Sequence, residues 1–428
     1  MLSFAAAIIL GSLVLMLPFA TRDGLGASFP DALFTAVSAC CVTGLVVQDT
    51  ATYWSGFGQA ALLVMIQVGG MGVVTMAVAI AAASGKKVSL MQRSTMQEAI
   101  SAPKVGGIVQ LTGFILRLTA LFEALGAALL AIVFIPRFGA LKGLWYSVFH
   151  AISAFCNAVF DLMGIQEPFS SMTGFAEQPV VNLALMLLIT IGGIGFLTWE
   201  DVVTHRHHVR RYRMQTKVIL VAAAALLLLP AVYLFFFEFS GLPLGERIWV
   251  SLFQSVTMRT AGFNTTDLTQ VSQSGQAMML VLILTGGAPG STAGGMKTTT
   301  LVVLLSTAIA VFRRRADTQL FGRRLDDDIV RRASTIATMY VVLFLAGGCV
   351  ISRVEGLPLL TCLFETASAV GTVGITLGIT PGLGLLSRVI LMLLMFLGRV
   401  GGLTLIFAAL AGYHPKRSKL PQERLTVG

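Results

Sequence analysis

The chain has 428 residues, of which 56% are hydrophobic and only 12% are charged. Soluble domains carry about 25% charged residues, so this composition excludes an ordinary soluble protein and indicates that most of the surface faces lipid. The net charge of +10 could indicate a nucleic-acid partner. The positive charges are instead distributed as in the cytoplasmic loops of a membrane protein, so we expect no nucleic-acid partner.

Uncharged segments of about 20 residues or more, the length that crosses a bilayer, occur at 58–85, 180–199, 218–237 and 334–352. The N-terminal run 1–21 has no basic stretch before it, which favours a membrane span over a cleaved signal peptide. Most Lys and Arg residues fall in the segments 86–104, 206–217, 313–332 and 416–424. Because positively charged loops stay in the cytoplasm, we predict that both termini are cytoplasmic.

A short pattern recurs four times along the chain. An amphipathic stretch with a phenylalanine is followed by small polar residues and then by one position that we call the slot. The slot residues are Gly44, Val159, Gly262 and Gly374. They are separated by about 110 residues, and a fixed internal period of this kind indicates one structural unit that is repeated.

We therefore predict an all-α integral membrane protein built from four tandem repeats around a central, pseudo-fourfold symmetric pore. Each repeat has a first helix, a short pore helix, a filter strand and a return helix, which gives eight transmembrane helices. The predicted repeats are 1–104, 105–216, 217–328 and 329–413, followed by a cytosolic tail, 414–428. The predicted pore helices (30–42, 143–156, 246–258 and 357–370) are too short to span a bilayer, as in re-entrant segments.

The residues around each slot fit the chemistry of a potassium filter. A dehydrated ion needs oxygen dipoles in place of its water shell, and rings of backbone carbonyls supply them. Glycine allows the left-handed backbone that turns carbonyls inwards. We call the following the filter residues: Val42, Thr43, Gly44, Asn157, Ala158, Val159, Thr260, Ala261, Gly262, Thr372, Val373 and Gly374.

Hydroxyl and carboxylate groups near the slots fit the same interpretation. Thr43, Thr260 and Thr372 would add hydroxyl oxygens beside the carbonyls. On the outward side, carboxylates could concentrate cations at the mouth of the pore. The candidates are Asp49, Asp161 and Asp267.

Three of these segments resemble the filters of the Trk/Ktr/HKT superfamily of cation transporters. They are Thr43-Gly44-Leu45, Arg259-Thr260-Ala261-Gly262-Phe263-Asn264 and Thr372-Val373-Gly374. The length, with no extra N-terminal helices, is similar to that of the Ktr-type potassium-translocating membrane subunit.

The resemblance implies a gated, channel-like pore, and not an enzyme, that takes up potassium across the plasma membrane. It implies K⁺ as the bound ion, with Na⁺ as a possible coupling or regulatory ion in a symporter, and no other metal. It also implies a homodimer in the lipid bilayer on a cytosolic ring of regulatory subunits that bind ATP/ADP or NAD(H).

The second repeat departs from the family pattern, because Val159 stands where the family has glycine. A β-branched residue resists positive φ, and its methyl groups would crowd the axis. We predict weaker or less selective potassium binding at this level. The alternative function is therefore a Na⁺-selective or Na⁺-coupled transporter of the same fold.

The third return helix contains a run of helix-breaking residues between 286 and 297. Such a break inside a bilayer must line a cavity or be packed by protein. We predict a break in the return helix of the third repeat only, and an intramembrane gating loop like that of the family. Its residues are Gly286, Gly287, Pro289, Gly290, Gly294, Gly295 and Lys297.

Arg399 interrupts the last helix. A charge at this depth costs about 2.5 kcal/mol or more and usually faces the interior of the bundle. We assign Arg399 to the gate, where it would oppose resting cations and anchor the loop. The alternative is a structural ion pair with a buried carboxylate such as Glu123.

The other polar residues carry weaker signals. The five cysteines have no metal-ligand spacing and are predicted to be free thiols. Two further functions stay open: a membrane enzyme that uses Glu123, His150 and Asp161, and a regulatory scaffold with a degenerate pore. We favour a packing role for His150. For the group His205, His207 and His208 we favour a solvated cytosolic loop over a metal site.

Overall fold

The computed structural model describes residues 2–73, 75–78, 96–97, 107–165 and 167–401. Most of the basic segment 86–104, the end of the last return helix beyond residue 401 and the tail 414–428 lie outside the described residues. The described part is mostly helical, as predicted, and its one sheet is a hairpin of β1 (Gln319–Leu320) and β2 (Arg323–Arg324).

The first half of the chain forms seven of the described α-helices. They are α1 (Leu2–Leu15), α2 (Phe29–Cys40), α3 (Gly56–Met71), α4 (Ile108–Phe138), α5 (Ala140–Phe155), α6 (Pro179–Ile194) and α7 (Phe196–His205). The second half forms α8 (Met214–Tyr233), α9 (Leu244–Thr257), α10 (Gln273–Leu284), α11 (Thr298–Phe312), α12 (Asp327–Glu355), α13 (Leu359–Gly371) and α14 (Leu385–Val400).

Four of the described helices, α2, α3, α10 and α12, start after a residue whose side chain caps them. The Ser272 Oγ before α10 accepts a hydrogen bond from the Gly275 amide at 3.0 Å, and the Asp326 carboxylate before α12 accepts one from the Asp328 amide at 3.4 Å. Such caps satisfy amides that have no partner within the helix.

Three helices of the described part are long and apolar enough to cross a membrane: α4, α8 with its π-helical continuation to Glu238, and α12. A fourth span results if the bent pair α6 and α7 is counted as one. Other apolar helices, including α1, α3, α10 and α11, have 10–17 residues. The count of eight spanning helices stays a prediction.

The four short helices α2, α5, α9 and α13 lie within three residues of the predicted pore helices. Each buries the phenylalanine of the recurring pattern completely: Phe34, Phe149, Phe253 and Phe364 are all 0% exposed. The hydroxyl residue four positions further on is equally buried in each case: Ser38, Ser153, Thr257 and Ser368. The recurring pattern therefore marks short helices whose ends are enclosed by the rest of the protein.

The prediction that only the third return helix is broken is wrong. The first ends at Gly72 (φ 86°), the second at Gly195 (φ 96°) and the fourth at Gly401 (φ 85°). At Gly195 the chain turns by 95° between α6 and α7. A left-handed glycine cannot continue an α-helix. Each break closes a Gly-x-x-Gly sequence, at 69–72, 192–195 and 398–401.

The first glycine of each of these sequences lies against the end of a short helix. A Cβ atom on Gly69, Gly192 or Gly398 would overlap the carbonyl oxygen of Cys40, Phe155 or Val370, respectively. Because each carbonyl belongs to the residue four positions before a slot, the contact brings every one of these breaks up to a filter segment.

Replacing Gly69 with alanine tests this close approach. The new Cβ would lie 2.8 Å from the Cys40 carbonyl carbon, and overpacking of this kind costs about 1–3 kcal/mol. We expect a lower melting temperature for the purified protein in detergent. Gly113→Ala in α4 is the matched control, because a Cβ there meets nothing within 4 Å. Equal melting temperatures for the two variants would contradict the assignment.

Candidate ion filter and the loop that contacts it

The filter residues follow the short helices directly and adopt a left-handed backbone at alternate positions. In the first, second and fourth segments both the slot and the residue two before it have positive φ; in the third only the slot does. The angles are Val42 50°, Gly44 88°, Asn157 57°, Val159 65°, Gly262 74°, Thr372 51° and Gly374 81°. Alternation of this kind turns successive peptide groups of a segment in different directions.

The amides of the filter segments are bonded to the helices that precede them. The Thr43 amide donates to the Ser38 carbonyl at 2.8 Å, and the Ala158 and Val373 amides donate to Ser153 and Ser368, each at 2.9 Å. In the third segment the Gly262 amide donates to Thr257 at 3.0 Å. Among the described residues, no hydrogen bond reaches the carbonyls of Thr43, Ala158, Ala261 and Val373. These four carbonyl oxygens have no donor among the described residues, and the predicted filter requires this arrangement.

The four segments lie side by side around a common centre. A Cβ atom on Gly44 would lie 2.6 Å from the Ala158 carbonyl oxygen of the second segment. One on Gly374 would overlap the Thr43 carbonyl oxygen, and one on Gly262 would overlap that of Val373. These contacts join the first segment to the second and fourth, and the fourth to the third.

Val159 fills the space between the other three slots. Its Cγ2 lies 2.9 Å from the ideal Cβ position of Gly44, 2.9 Å from that of Gly262 and 3.0 Å from that of Gly374. The side chain is 7% exposed. Left-handed backbone in a residue other than glycine costs about 1–3 kcal/mol, and it directs this side chain towards the centre.

The three threonines near the slots are not equivalent. The Oγ1 atoms of Thr43 and Thr372 are buried without a hydrogen-bond partner in the described part of the chain. The Thr260 hydroxyl instead donates to Asn157 Oδ1 at 2.8 Å. Two of the predicted hydroxyls are therefore unengaged, and the third holds two filter segments together.

The acidic residues beyond the slots are engaged within their loops. Asp49 is 8% exposed and accepts hydrogen bonds from the Thr52 and Phe169 amides, both at 2.9 Å. Asp161 is half-buried and accepts from the Met163 amide at 3.0 Å. Asp267 is exposed, and hydrogen bonds from Thr269 lower the pKa of its carboxyl. Of the three predicted carboxylates, only that of Asp267 is well exposed, so it is the main candidate for attracting cations to the mouth of the pore.

Loop 286–297 closes on itself at its base. The Gly286 amide donates to the Met296 carbonyl at 2.7 Å, and the Thr298 hydroxyl donates to the Gly286 carbonyl at 2.7 Å. Lys297 Nζ donates to the Ala293 carbonyl at 2.8 Å. The predicted helix break is therefore an ordered loop with internal bonds.

The same loop is bonded to the breaks in two other return helices. The Phe196 amide donates to Gly290, beside Pro289, and the Ala288 amide donates to Gly193, each at 2.9 Å. The Gly295 amide donates to the Gly398 carbonyl at 3.2 Å. The ideal Cβ position of Gly294 lies 2.9 Å from Thr372 Cγ2, so the loop also touches the fourth filter segment. At the base of the loop, the Thr298 amide donates to the Gly287 carbonyl at 3.1 Å.

A buried hydrogen-bond chain joins the loop to the filter. Asn157 Nδ2 donates to Thr292 Oγ1 at 2.8 Å, and Thr292 Oγ1 donates to the Phe155 carbonyl at 2.9 Å. Together with the bond from Thr260 to Asn157, this chain links the second and third filter segments to the loop. Thr292 could not be identified from the sequence, because nothing in its local sequence marks a partner 135 positions away.

Arg399 donates to backbone carbonyls rather than to a carboxylate. Its guanidinium donates to the carbonyls of Thr292 and Gly69, and to that of Gly70 at 2.9 Å. No carboxylate of the described residues lies within 4.0 Å. The alternative of an ion pair with Glu123 is therefore wrong: Glu123 accepts a hydrogen bond from Gln67 at 3.0 Å.

The remaining candidate residues have structural partners of their own. His150 is 0% exposed, its Nδ1 donates to the Tyr146 carbonyl at 2.7 Å, and its Nε2 accepts from the Leu162 amide at 3.2 Å. His205 lies 3.0 Å from the Asp201 carboxylate. No group of three metal-ligating side chains occurs in the described part of the chain, where all five cysteines are free thiols.

Comparison with known proteins adds an independent result. A family model named TrkH and described as a cation transport protein matches residues 11–418. The potassium/sodium uptake protein NtpJ of Enterococcus hirae is 38% identical over 438 residues, covering 99% of this chain and 95% of NtpJ. The Ktr system potassium uptake protein B of Bacillus subtilis is 37% identical, covering 95% of this chain and 91% of that protein.

A solved structure is similar to the whole fold. The potassium transporter TrkH of Vibrio parahaemolyticus superposes with a TM-score of 0.71 at 19% identity, covering 95% of this chain and 84% of the transporter. Three findings point to the same class of protein, a membrane transporter: the apolar helices, the extent of the family match and the two relatives. The chain belongs to the TrkH family of cation transport proteins, and it is a transport protein rather than an enzyme.

Proposed function

We propose that this chain is a Ktr-type membrane subunit that takes up K⁺ across the plasma membrane through a central pore. The observation that carries the proposal is the meeting of four filter segments whose carbonyls receive no hydrogen bond from the described residues. Oxygen dipoles arranged around a centre can replace the water shell of an ion. Relatives named as potassium or potassium/sodium uptake proteins support the same ion class.

The pore architecture that we propose has four tandem repeats, eight spanning helices and pseudo-fourfold symmetry. Its support is the matching position of the four short helices and the burial of the same phenylalanine in each. The helices end three to five residues before the slots, so the negative ends of their dipoles would favour a cation. The exposed arginines between α7 and α8 and after α11 fit a cytoplasmic side and cytoplasmic termini.

Loop 286–297 and Arg399 form the gate in this proposal. The loop contacts the filter through Thr292 and Asn157, and Arg399 bonds the loop to the first return helix. The positive charges of Lys297 and Arg399 near the pathway would oppose a resting cation. Two relatives of Bacillus subtilis are named as proteins B and D of a Ktr system. We extend this to a homodimer on a separate cytosolic subunit ring that binds ATP/ADP or NAD(H).

A second candidate is a Na⁺-selective or Na⁺-coupled transporter. Val159 favours it, because the second slot carries a valine side chain whereas the other three slots are glycines. The name of NtpJ, a potassium/sodium uptake protein, favours it as well. Both candidates use the same segments and differ in the ion that fits them.

Growth of a bacterial host without its own potassium uptake tests the proposal. We expect this chain to restore growth at limiting K⁺, and to restore more when a nucleotide-binding regulatory subunit of a Ktr system is expressed with it. Na⁺ added in steps shows whether transport depends on sodium. Failure to restore growth in all conditions, with the protein present in the membrane, would contradict potassium uptake.

Thr292→Val tests the link between the loop and the filter. It removes two hydrogen bonds, each worth about 0.5–1.5 kcal/mol, and 1.4 kcal/mol corresponds to about tenfold in an equilibrium. If the link holds the pore closed, basal Rb⁺ uptake without a regulatory subunit should rise roughly five- to tenfold. Thr335→Val is the control, because its hydroxyl donates within α12, to the Arg331 carbonyl at 2.9 Å. Unchanged or lower basal uptake for Thr292→Val would argue against the gate.

A further inference from the structure

We propose that the Val159 side chain forms the narrowest point of the ion pathway and limits flux through this chain. The inference rests on the proposed function, because it concerns the same filter. It goes beyond weaker potassium binding at one slot, because the side chain extends from the second segment to the other three. Its Cγ2 approaches the slot glycines of all three other segments.

The position of one methyl group carries the argument. Cγ2 lies 2.9, 2.9 and 3.0 Å from the ideal Cβ positions of Gly44, Gly262 and Gly374. These glycines belong to three segments that surround a common centre. One atom can be this close to all three only if it lies between them. The methyl group therefore occupies space that an ion at the slot level would need.

Rotation of the side chain does not clear this space. Cγ1 also lies 3.0 Å from the ideal Cβ position of Gly262, so both methyl groups face the centre. The χ1 angle of valine is restricted by its two branches. A methyl group offers no oxygen to a dehydrated ion, whereas the carbonyl rings of a filter do. The constriction is therefore both steric and apolar.

The backbone at Val159 is already that of a glycine slot. Its φ of 65° is close to the 88°, 74° and 81° of Gly44, Gly262 and Gly374. A β-branched residue is disfavoured there, and glycine adopts this conformation freely. Val159→Gly should consequently fold and leave the backbone of the filter unchanged, with the centre open.

Uptake of radioactive Rb⁺ into proteoliposomes tests the proposal with four forms of the full chain: the parent, Val159→Gly, Val159→Ala and Val159→Thr. We expect Val159→Gly to exceed the parent by at least about tenfold, which is a barrier change of about 1.4 kcal/mol. Val159→Ala should be intermediate. Val159→Thr keeps the branched shape but replaces one methyl group with a hydroxyl, and it should stay well below Val159→Gly because the steric part of the constriction remains. Rb⁺ uptake should rise more than Na⁺ uptake, because the larger ion is hindered more.

Equal Rb⁺ uptake by the parent and Val159→Gly would overturn the constriction while leaving the proposed function intact. Val159→Thr as fast as Val159→Gly would overturn it as well. If none of the four forms transports, the proposed function fails, and Tl⁺ binding decides the inference. Anomalous density at the slot level in crystals of Val159→Gly but not of the parent supports it. Density in the parent, or none in Val159→Gly, overturns it.

Discussion

Backbone groups that leave a helix inside a membrane have no water to bond to, so they must find partners within the protein. This constraint organises the whole centre of the molecule. The filter amides are bonded to the short helices before them, and the loop amides are bonded to carbonyls at the breaks in α6 and α14. Arg399 donates to three further carbonyls. Many donors are thereby bonded within the protein, whereas the filter carbonyls receive no hydrogen bond from the part of the chain that the structure describes.

Glycine makes this arrangement possible by the absence of a side chain. Gly69, Gly192 and Gly398 let three return helices touch carbonyls at the ends of α2, α5 and α13. The glycine three positions further on then turns each chain out of its helix. Close approach and helix termination are thus separate tasks of one four-residue sequence. Each of these four-residue sequences therefore both contacts the end of a short helix and ends its own helix.

The sequence was sufficient for features that depend on local pattern. The short helices follow from amphipathic stretches that end in small polar residues, and their observed bounds agree with the predicted ones within three positions. Loop 286–297 follows from a density of helix breakers that no helix tolerates. The uncharged residues around Arg399 indicate that it faces the interior of the bundle, and its guanidinium donates to carbonyls of other elements there.

Features that depend on distant partners could not be predicted. A single glycine is a weak helix breaker, so Gly72, Gly195 and Gly401 gave no decisive signal, although the shared Gly-x-x-Gly spacing could have done so. A charge in a membrane suggests a carboxylate partner, and Arg399 finds carbonyls of residues 69, 70 and 292 instead. Asp49 looked like a residue of the pore mouth, but it fastens one loop to another through the Phe169 amide.

Arg399 also illustrates what a single polypeptide gains over four identical subunits. The residue after the first glycine is Gly70 in the first Gly-x-x-Gly sequence, Gly193 in the second and Arg399 in the last. In a symmetric assembly of one repeated subunit, an arginine here would appear four times around the centre, and like charges at short range in a low dielectric repel strongly. Because the four segments belong to one chain, the sequence of each can change independently of the others. A single arginine can therefore lie near the centre, where four would repel one another.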